Sequence, residues 1–220
     1  MSSIFKKNNL FFALCALFIA FCGIQTLFYP KGSLVLYLNA LHNPIGNTFF
    51  RLITNVGDGL AFTIISILLL LFVNIRWGIL SLLTFAISGI LSQFFKKVVF
   101  GALPRPLKFF EGNEVLNTVE GVHNAYVHSF PSGHTTTAFA MFTLLTLLWG
   151  GNKTIAVVCF VFAVITAISR IYLAQHFIED VFAGTILGVL TATFLYFWFE
   201  VKTPRLLASP KLGYPLLKLK

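Results

Sequence analysis

Two histidines and an aspartate stand out in a chain that is otherwise short of ionisable side chains. His176 and Asp180, in SRIYLAQHFIED (169–180), are four residues apart. On a helix they share a face, so the carboxylate can set the tautomer of the imidazole and raise its basicity. A nucleophilic or basic histidine is prepared in this way. His134 closes the tetrapeptide Pro131-Ser132-Gly133-His134 at the head of an apolar run. Proline tolerates a helix start, serine is a good N-cap, and a helix N-terminus offers unpaired N–H groups that bind oxyanions. Glycine lets a ligand approach the backbone closely. An ordinary capped helix accounts for Pro131 and Ser132, but not for His134 one step further in. A third cluster, KKVVFGALPRP (96–106), carries Lys96, Lys97 and Arg105. Cations and backbone amides aimed at one point describe a phosphate site, and Arg170 adds another cation beside the His176 motif. Interface anchoring of Lys and Arg at helix ends is the commoner fate of such residues.

The elements that must hold these residues are membrane spans. The chain has 220 residues, 57% hydrophobic and only 10% charged, far from the balance of a soluble domain. Six apolar segments, at 10–28, 53–74, 77–95, 133–150, 154–173 and 178–199, are each near the ~20 residues needed to cross ~30 Å of hydrocarbon. The expected fold is all-α, one domain over residues 1–220: a six-transmembrane helix bundle with a short interfacial helix at GSLVLYLNALHNPIGN (32–47). In that topology the connections three-to-four and five-to-six lie on one side, so the three polar clusters meet at one face. The three cysteines imply no disulfide framework, since Cys15 and Cys22 in one helix are ~10 Å apart. The N-terminus, basic at Lys6 and Lys7, lacks a small-x-small cleavage site and reads as a retained first span.

Loop charge sets orientation. Lys6, Lys7, Arg76, Lys153, Lys202, Arg205, Lys211, Lys218 and Lys220 fall on the N-terminal side, against Lys31, Arg51, Lys96, Lys97, Arg105, Lys108 and Arg170 on the other. The excess puts both termini in the cytoplasm and the site at the periplasmic or exterior face of an inner membrane. The net charge of +9 suits anionic lipid headgroups.

Together the three clusters resemble the membrane-bound type 2 phosphatidic acid phosphatase superfamily, whose signature is Lys then Arg-Pro, Pro-Ser-Gly-His, and Ser-Arg then His and Asp. Here these read KVVFGALPRP, PSGH and SRIYLAQHFIED. The second and third match throughout. In the first, seven residues separate Lys97 from Arg105 where the family usually has six, and Lys96 is the neighbour that could replace Lys97. The resemblance implies a lipid phosphatase: His176 attacks phosphorus to form a phosphohistidine, Asp180 orients it, and His134 protonates the leaving oxygen and then helps activate water. Lys97, Arg105, Ser132, Gly133 and Arg170 would hold the phosphoryl oxygens. It implies no cofactor and no metal. The expected partners are a membrane lipid substrate and the bilayer, with no nucleic acid and no obligate protein partner. Candidate substrates are phosphatidylglycerophosphate, undecaprenyl pyrophosphate, a lipid A phosphate and phosphatidic acid.

Rival readings follow from the same residues. His123, His128, His134 and His176 with Glu120 and Asp180 offer metal ligands, but no pair has a zinc spacing and the surrounding cations would repel a metal. A transporter or channel for an anionic substrate is the alternative from another class, although transport sites usually sit near mid-bilayer. Vanadate haloperoxidases share the pocket residues but are soluble. The segment 107–130 is expected to shape headgroup choice, with Glu111, Glu114 and Glu120 discouraging strongly anionic headgroups unless they contact sugars or a divalent ion.

Overall fold

The structure is a computed structural model describing residues 2–203 and 210–217; Arg205, Lys218 and Lys220 of the charge count lie outside the described residues. Every regular element among those residues is helical. The helices are α1 (Ser2–Lys7), α2 (Asn9–Phe28), α3 (Ser33–Ala40), α4 (Pro44–Ile53), α5 (Gly59–Leu68), α6 (Ile75–Phe94), α7 (Pro106–Phe109), α8 (Gly133–Leu148), α9 (Lys153–Tyr172) and α10 (Ile178–Tyr196). Wider π-turns extend α5 (Leu69–Val73), α6 (Phe95–Val99) and α10 (Phe197–Lys202), and a 3₁₀ turn (Thr54–Gly57) follows α4. Asparagine side chains start three helices: Asn43 accepts from the Gly46 amide, Asn74 from Trp77 and Asn152 from Ile155, at 2.9, 3.3 and 3.1 Å.

Among the described residues, four helices are long and apolar enough to cross a membrane: α2, α6 with its π-turn, α9, and α10 with its π-turn. Leu17, Leu27, Ile90 and Leu190, at 68, 79, 66 and 62% exposure, present the apolar outer surface that lipid covers. This is a multi-pass membrane chain. The expected second span passes only as a pair, Pro44–Gly57 with Gly59–Val73, bent by 57°. The expected fourth, α8, has 16 residues, ~24 Å of helix against ~30 Å of hydrocarbon. Among the described residues, four helices meet the length of a span, five with the bent pair, and α8 is a sixth, shorter apolar helix. A central helix and a span look alike in composition, because both are apolar all round. The stretch 32–47, expected as one interfacial helix, holds α3 and the start of α4, divided where Asn43 and Pro44 begin a new helix.

Thirteen of the 16 residues of α8 are buried, because α10, α9 and α6 pack around it. Its closest neighbour is α10. A Cβ on Gly184 would come within 2.8 Å of the Ser132 carbonyl oxygen, and one on Gly188 within 2.5 Å of that of Thr136. Glycines four apart let the two backbones meet, as in small-xxx-small helix pairs. That contact lays the Pro-Ser-Gly-His head of α8 against the start of α10, where Asp180 sits.

Candidate active site

The C-terminal end of α6, the N-terminal ends of α8 and α10 and the C-terminal end of α9 converge on a cavity of about 670 Å³. Its inner wall carries Lys96, Arg105, Gly133, His134, Arg170 and His176. Residues from three separate motifs thus share one space, as the loop topology predicts.

The buried pair is at its base. His176 Nδ1 lies 3.2 Å from Asp180 Oδ2, and both residues are within 2% of full burial. The same oxygen accepts the Phe177 amide at 2.9 Å and the Ser129 hydroxyl. Three donors on one carboxylate oxygen hold Asp180 as an acceptor, and so hold the imidazole ring. Ser129 was not singled out from the sequence. Its only signal is position, a small hydroxyl residue two places before Pro131 in the same polar segment.

His176 lies in the turn between α9 and α10. Burial foremost, then the positive charges of Arg105, Lys96 and Arg170, pushes its pKa well below 6.5. The ring is therefore neutral near pH 7, the form a nucleophile needs.

Two cations are anchored by the protein's own oxygens. Arg105 donates to the Val127 carbonyl at 3.0 Å and to the Gln175 carbonyl and side-chain oxygens at 3.3 and 3.2 Å. It therefore ties the segment before α8 to the turn bearing His176. Arg170, 6% exposed, donates through Nη1 to Thr54 Oγ1 at 2.6 Å. Its buried Nε has no partner among the described residues. A buried charged donor without an acceptor is costly, and an anion in the cavity would supply one.

The first-motif lysine differs from expectation. Lys97 is exposed and does not line the cavity, whereas Lys96 is 7% exposed and does. A Cβ on Gly133 would sit 4.0 Å from Lys96 Nζ and 3.8 Å from Ser92 Oγ, so that amine lies over the head of α8. Thr84, Ser88, Ser92 and Lys96 form the buried stripe of α6 at four-residue spacing, and Lys97 is one step off it. Lys96 lies within the π-turn at Phe95–Val99, where the wider turn shifts the register by an extra residue.

Ser132 also differs. It is fully buried and caps α8, accepting from the Thr135 hydroxyl at 2.9 Å, while its amide donates to the Asp180 carbonyl at 3.0 Å. Its hydroxyl does not face the cavity. Gly133 and His134 do. Among the described residues no group of three or more His, Cys, Asp or Glu side chains is arranged to hold a metal ion. Nor does any acidic side chain line the cavity: Glu111 pairs with Lys108 at 2.6 Å, and Glu120 presents only its carbonyl, to Arg51.

With this geometry in place, comparison with known proteins is decisive. Residues 77–204, more than half of the chain, match the sequence model of the PAP2 superfamily. The chain belongs to the PAP2 superfamily. PAP2 relatives include a lipid A 1-phosphatase of Rhizobium johnstonii, 29% identical over 61% of this chain and 52% of that protein. Another is phosphatidylglycerophosphatase B of Bacillus subtilis, 36% identical over 35% of this chain and 41% of that one. The matched stretches cover 16 to 55% of the length of such curated relatives. Among solved PAP2 structures, LpxE of Aquifex aeolicus superimposes with a TM-score of 0.65 and 26% identity, over 77% of this chain and 96% of that one. The transmembrane PAP2-type phosphatidylglycerolphosphate phosphatase of B. subtilis shares the fold, with a TM-score of 0.61 over 88% and 96% of the two chains.

Proposed function

We propose that this protein is a multi-pass membrane phosphatase that removes a phosphoryl group, held as a monoester or a diphosphate, from a lipid headgroup. The observation that carries the reading is the buried His176–Asp180 pair at the base of a cavity walled by Lys96, Arg105 and Arg170. With Nδ1 held by Asp180, Nε2 of His176 attacks phosphorus. The bond to the leaving oxygen breaks as a phosphohistidine forms, and His134 gives that oxygen its proton. His134 then takes a proton from water, which attacks the phosphohistidine and releases inorganic phosphate. Lys96, Arg105, Arg170 and the α8 N-terminus at Gly133 stabilise the phosphoryl oxygens throughout. This cationic set already supplies the charge that a metal would otherwise bring.

The relatives act on lipid A, phosphatidylglycerophosphate and lipid phosphates by their names, which supports a lipid of that kind as the substrate. Six passes are counted when the bent pair and α8 each make one. The site then faces the periplasm or exterior of an inner membrane. Four of the seven cations on that side, Arg51, Lys96, Arg105 and Arg170, line the cavity, so the remaining loop charge favours cytoplasmic termini more than the raw count does. Placement of every site element at one end of the bundle, away from mid-bilayer, favours this reading over transport.

The test is phosphate release by the purified, detergent-solubilised protein from phosphatidylglycerophosphate, undecaprenyl pyrophosphate, a lipid A phosphate and phosphatidic acid, with EDTA present. Release that vanishes in His176→Ala is the expected result. Near-normal turnover by that variant contradicts the mechanism, and loss of activity with EDTA contradicts its metal independence.

A further inference from the structure

The cavity is larger than one phosphoryl group requires. Its volume of about 670 Å³ lies within the ~300–1,000 Å³ of sites that enclose whole small molecules. The inner wall belongs to the proposed chemistry. The outer wall is built separately, from Arg51 near the end of α4, Asn55 of the 3₁₀ turn after it, and Gly121, Val122 and His123 of the 107–130 segment.

Arg51 is the cation of that rim. Its Nη1 donates to the Glu120 carbonyl at 3.3 Å, across 69 residues of sequence. The side chain reaches that oxygen by lying along Gly121, which has φ +79°; a Cβ there would sit 3.3 Å from Nη1. No carboxylate pairs with Arg51 among the described residues. A cation in the last turn of α4 complements the helix dipole, and that explains a charge at this position. It does not explain a guanidinium tethered at a cavity mouth with its remaining donors unpaired. Arg51 also precedes Thr54, the partner of Arg170, by three residues, so the residue that carries the outer cation and the anchor of the inner one are about one turn apart along the chain.

We infer that Arg51, with His123 beside it, forms a second-anion subsite. The headgroup preferred here carries another phosphate or phosphodiester beyond the phosphoryl group being removed. This rests on the phosphatase reading above and narrows its substrate class. It also reverses the expectation that Glu111, Glu114 and Glu120 would turn strongly anionic headgroups away, since none of those carboxylates lines the cavity.

The experiment measures phosphate release from phosphatidylglycerophosphate, undecaprenyl pyrophosphate and phosphatidic acid in one neutral detergent, for the parent protein, Arg51→Gln, Arg51→Lys and His123→Ala. The quantity read is kcat/KM for each of the first two lipids divided by that for phosphatidic acid. Arg51→Gln should lower at least one ratio about tenfold, through KM, the size expected for one partly exposed charge-assisted bond. Which ratio falls tells whether the second anion is a phosphodiester or an adjoining phosphate. Arg51→Lys should restore most of it, and His123→Ala, at an exposed position, should shift it the same way. Ratios unchanged in both Arg51→Gln and His123→Ala overturn the subsite and leave the phosphatase reading standing. Absence of release from all three lipids by the parent protein overturns both.

Discussion

Lys96 and Lys97 are adjacent and equally charged, and the motif pointed first to Lys97, yet only Lys96 reaches the cavity. Side chains on a helix repeat every 3.6 residues, so a neighbour points about 100° away. Lys96→Ala should lower kcat/KM by about 10²- to 10³-fold, the usual loss for one transition-state contact. Lys97→Ala should change it by about twofold at most; equal losses would place both lysines at the phosphate. The residues Thr84, Ser88, Ser92 and Lys96 are buried at four-residue spacing, and that burial is what marks Lys96. The His176–Asp180 pair was legible from its four-residue spacing, but the contact does not run along one helix: His176 sits in the turn before α10, and Asp180 in the first turn of α10 reaches back to it.

His176 also carries a pH prediction with a definite sign. Its lowered pKa keeps it unprotonated at neutral pH, so activity is lost on the acid side only as pH falls through a value well below 6.5. Arg105 heads the charges that lower it. Arg105→Gln removes a like charge and favours the protonated ring, so the acid limb of kcat/KM should move to higher pH. A limb that stays in place or moves lower would mean that another group titrates there.

At the scale of elements, the α8–α10 contact governs the site, because it brings Pro131 to His134 against Asp180. Gly188→Ala would press a methyl group toward the Thr136 carbonyl oxygen and Ala140 amide, at 2.5 and 2.8 Å. Overpacking of this kind costs about 1–3 kcal/mol. Gly89 of α6, where a Cβ would meet nothing within 4 Å, is the control. Thermal unfolding in detergent should show a lower midpoint for Gly188→Ala and no fall for Gly89→Ala. Matching midpoints would mean that α8 and α10 separate without cost. Glycines 184 and 188 are visible in the sequence as a pair, but their partner helix is not.

For the whole molecule, charge sets the sidedness and the bundle sets the site. In the proposed orientation Lys108, exposed and paired only with Glu111 among the described residues, faces the outside. Lys108→Cys, expressed in a bacterial inner membrane, should react with an impermeant maleimide added outside the cytoplasm. The native Cys15, Cys22 and Cys159 are buried and should stay silent. Labelling only after lysis would invert the topology. Composition and apolar run lengths were enough to establish an all-helical membrane chain, since burying backbone in lipid leaves helices as the ready solution. The three motifs, read in order, were enough to identify the family and to nominate residues that the fold brings around one cavity. The tertiary structure alone decided that α8 is a short central helix, that Lys96 takes the place expected of Lys97, that Ser132 caps a helix and Ser129 braces Asp180, and that Arg51 joins the cavity rim. Each of these depends on which face of one helix meets another, and that is fixed by packing between segments far apart in the chain.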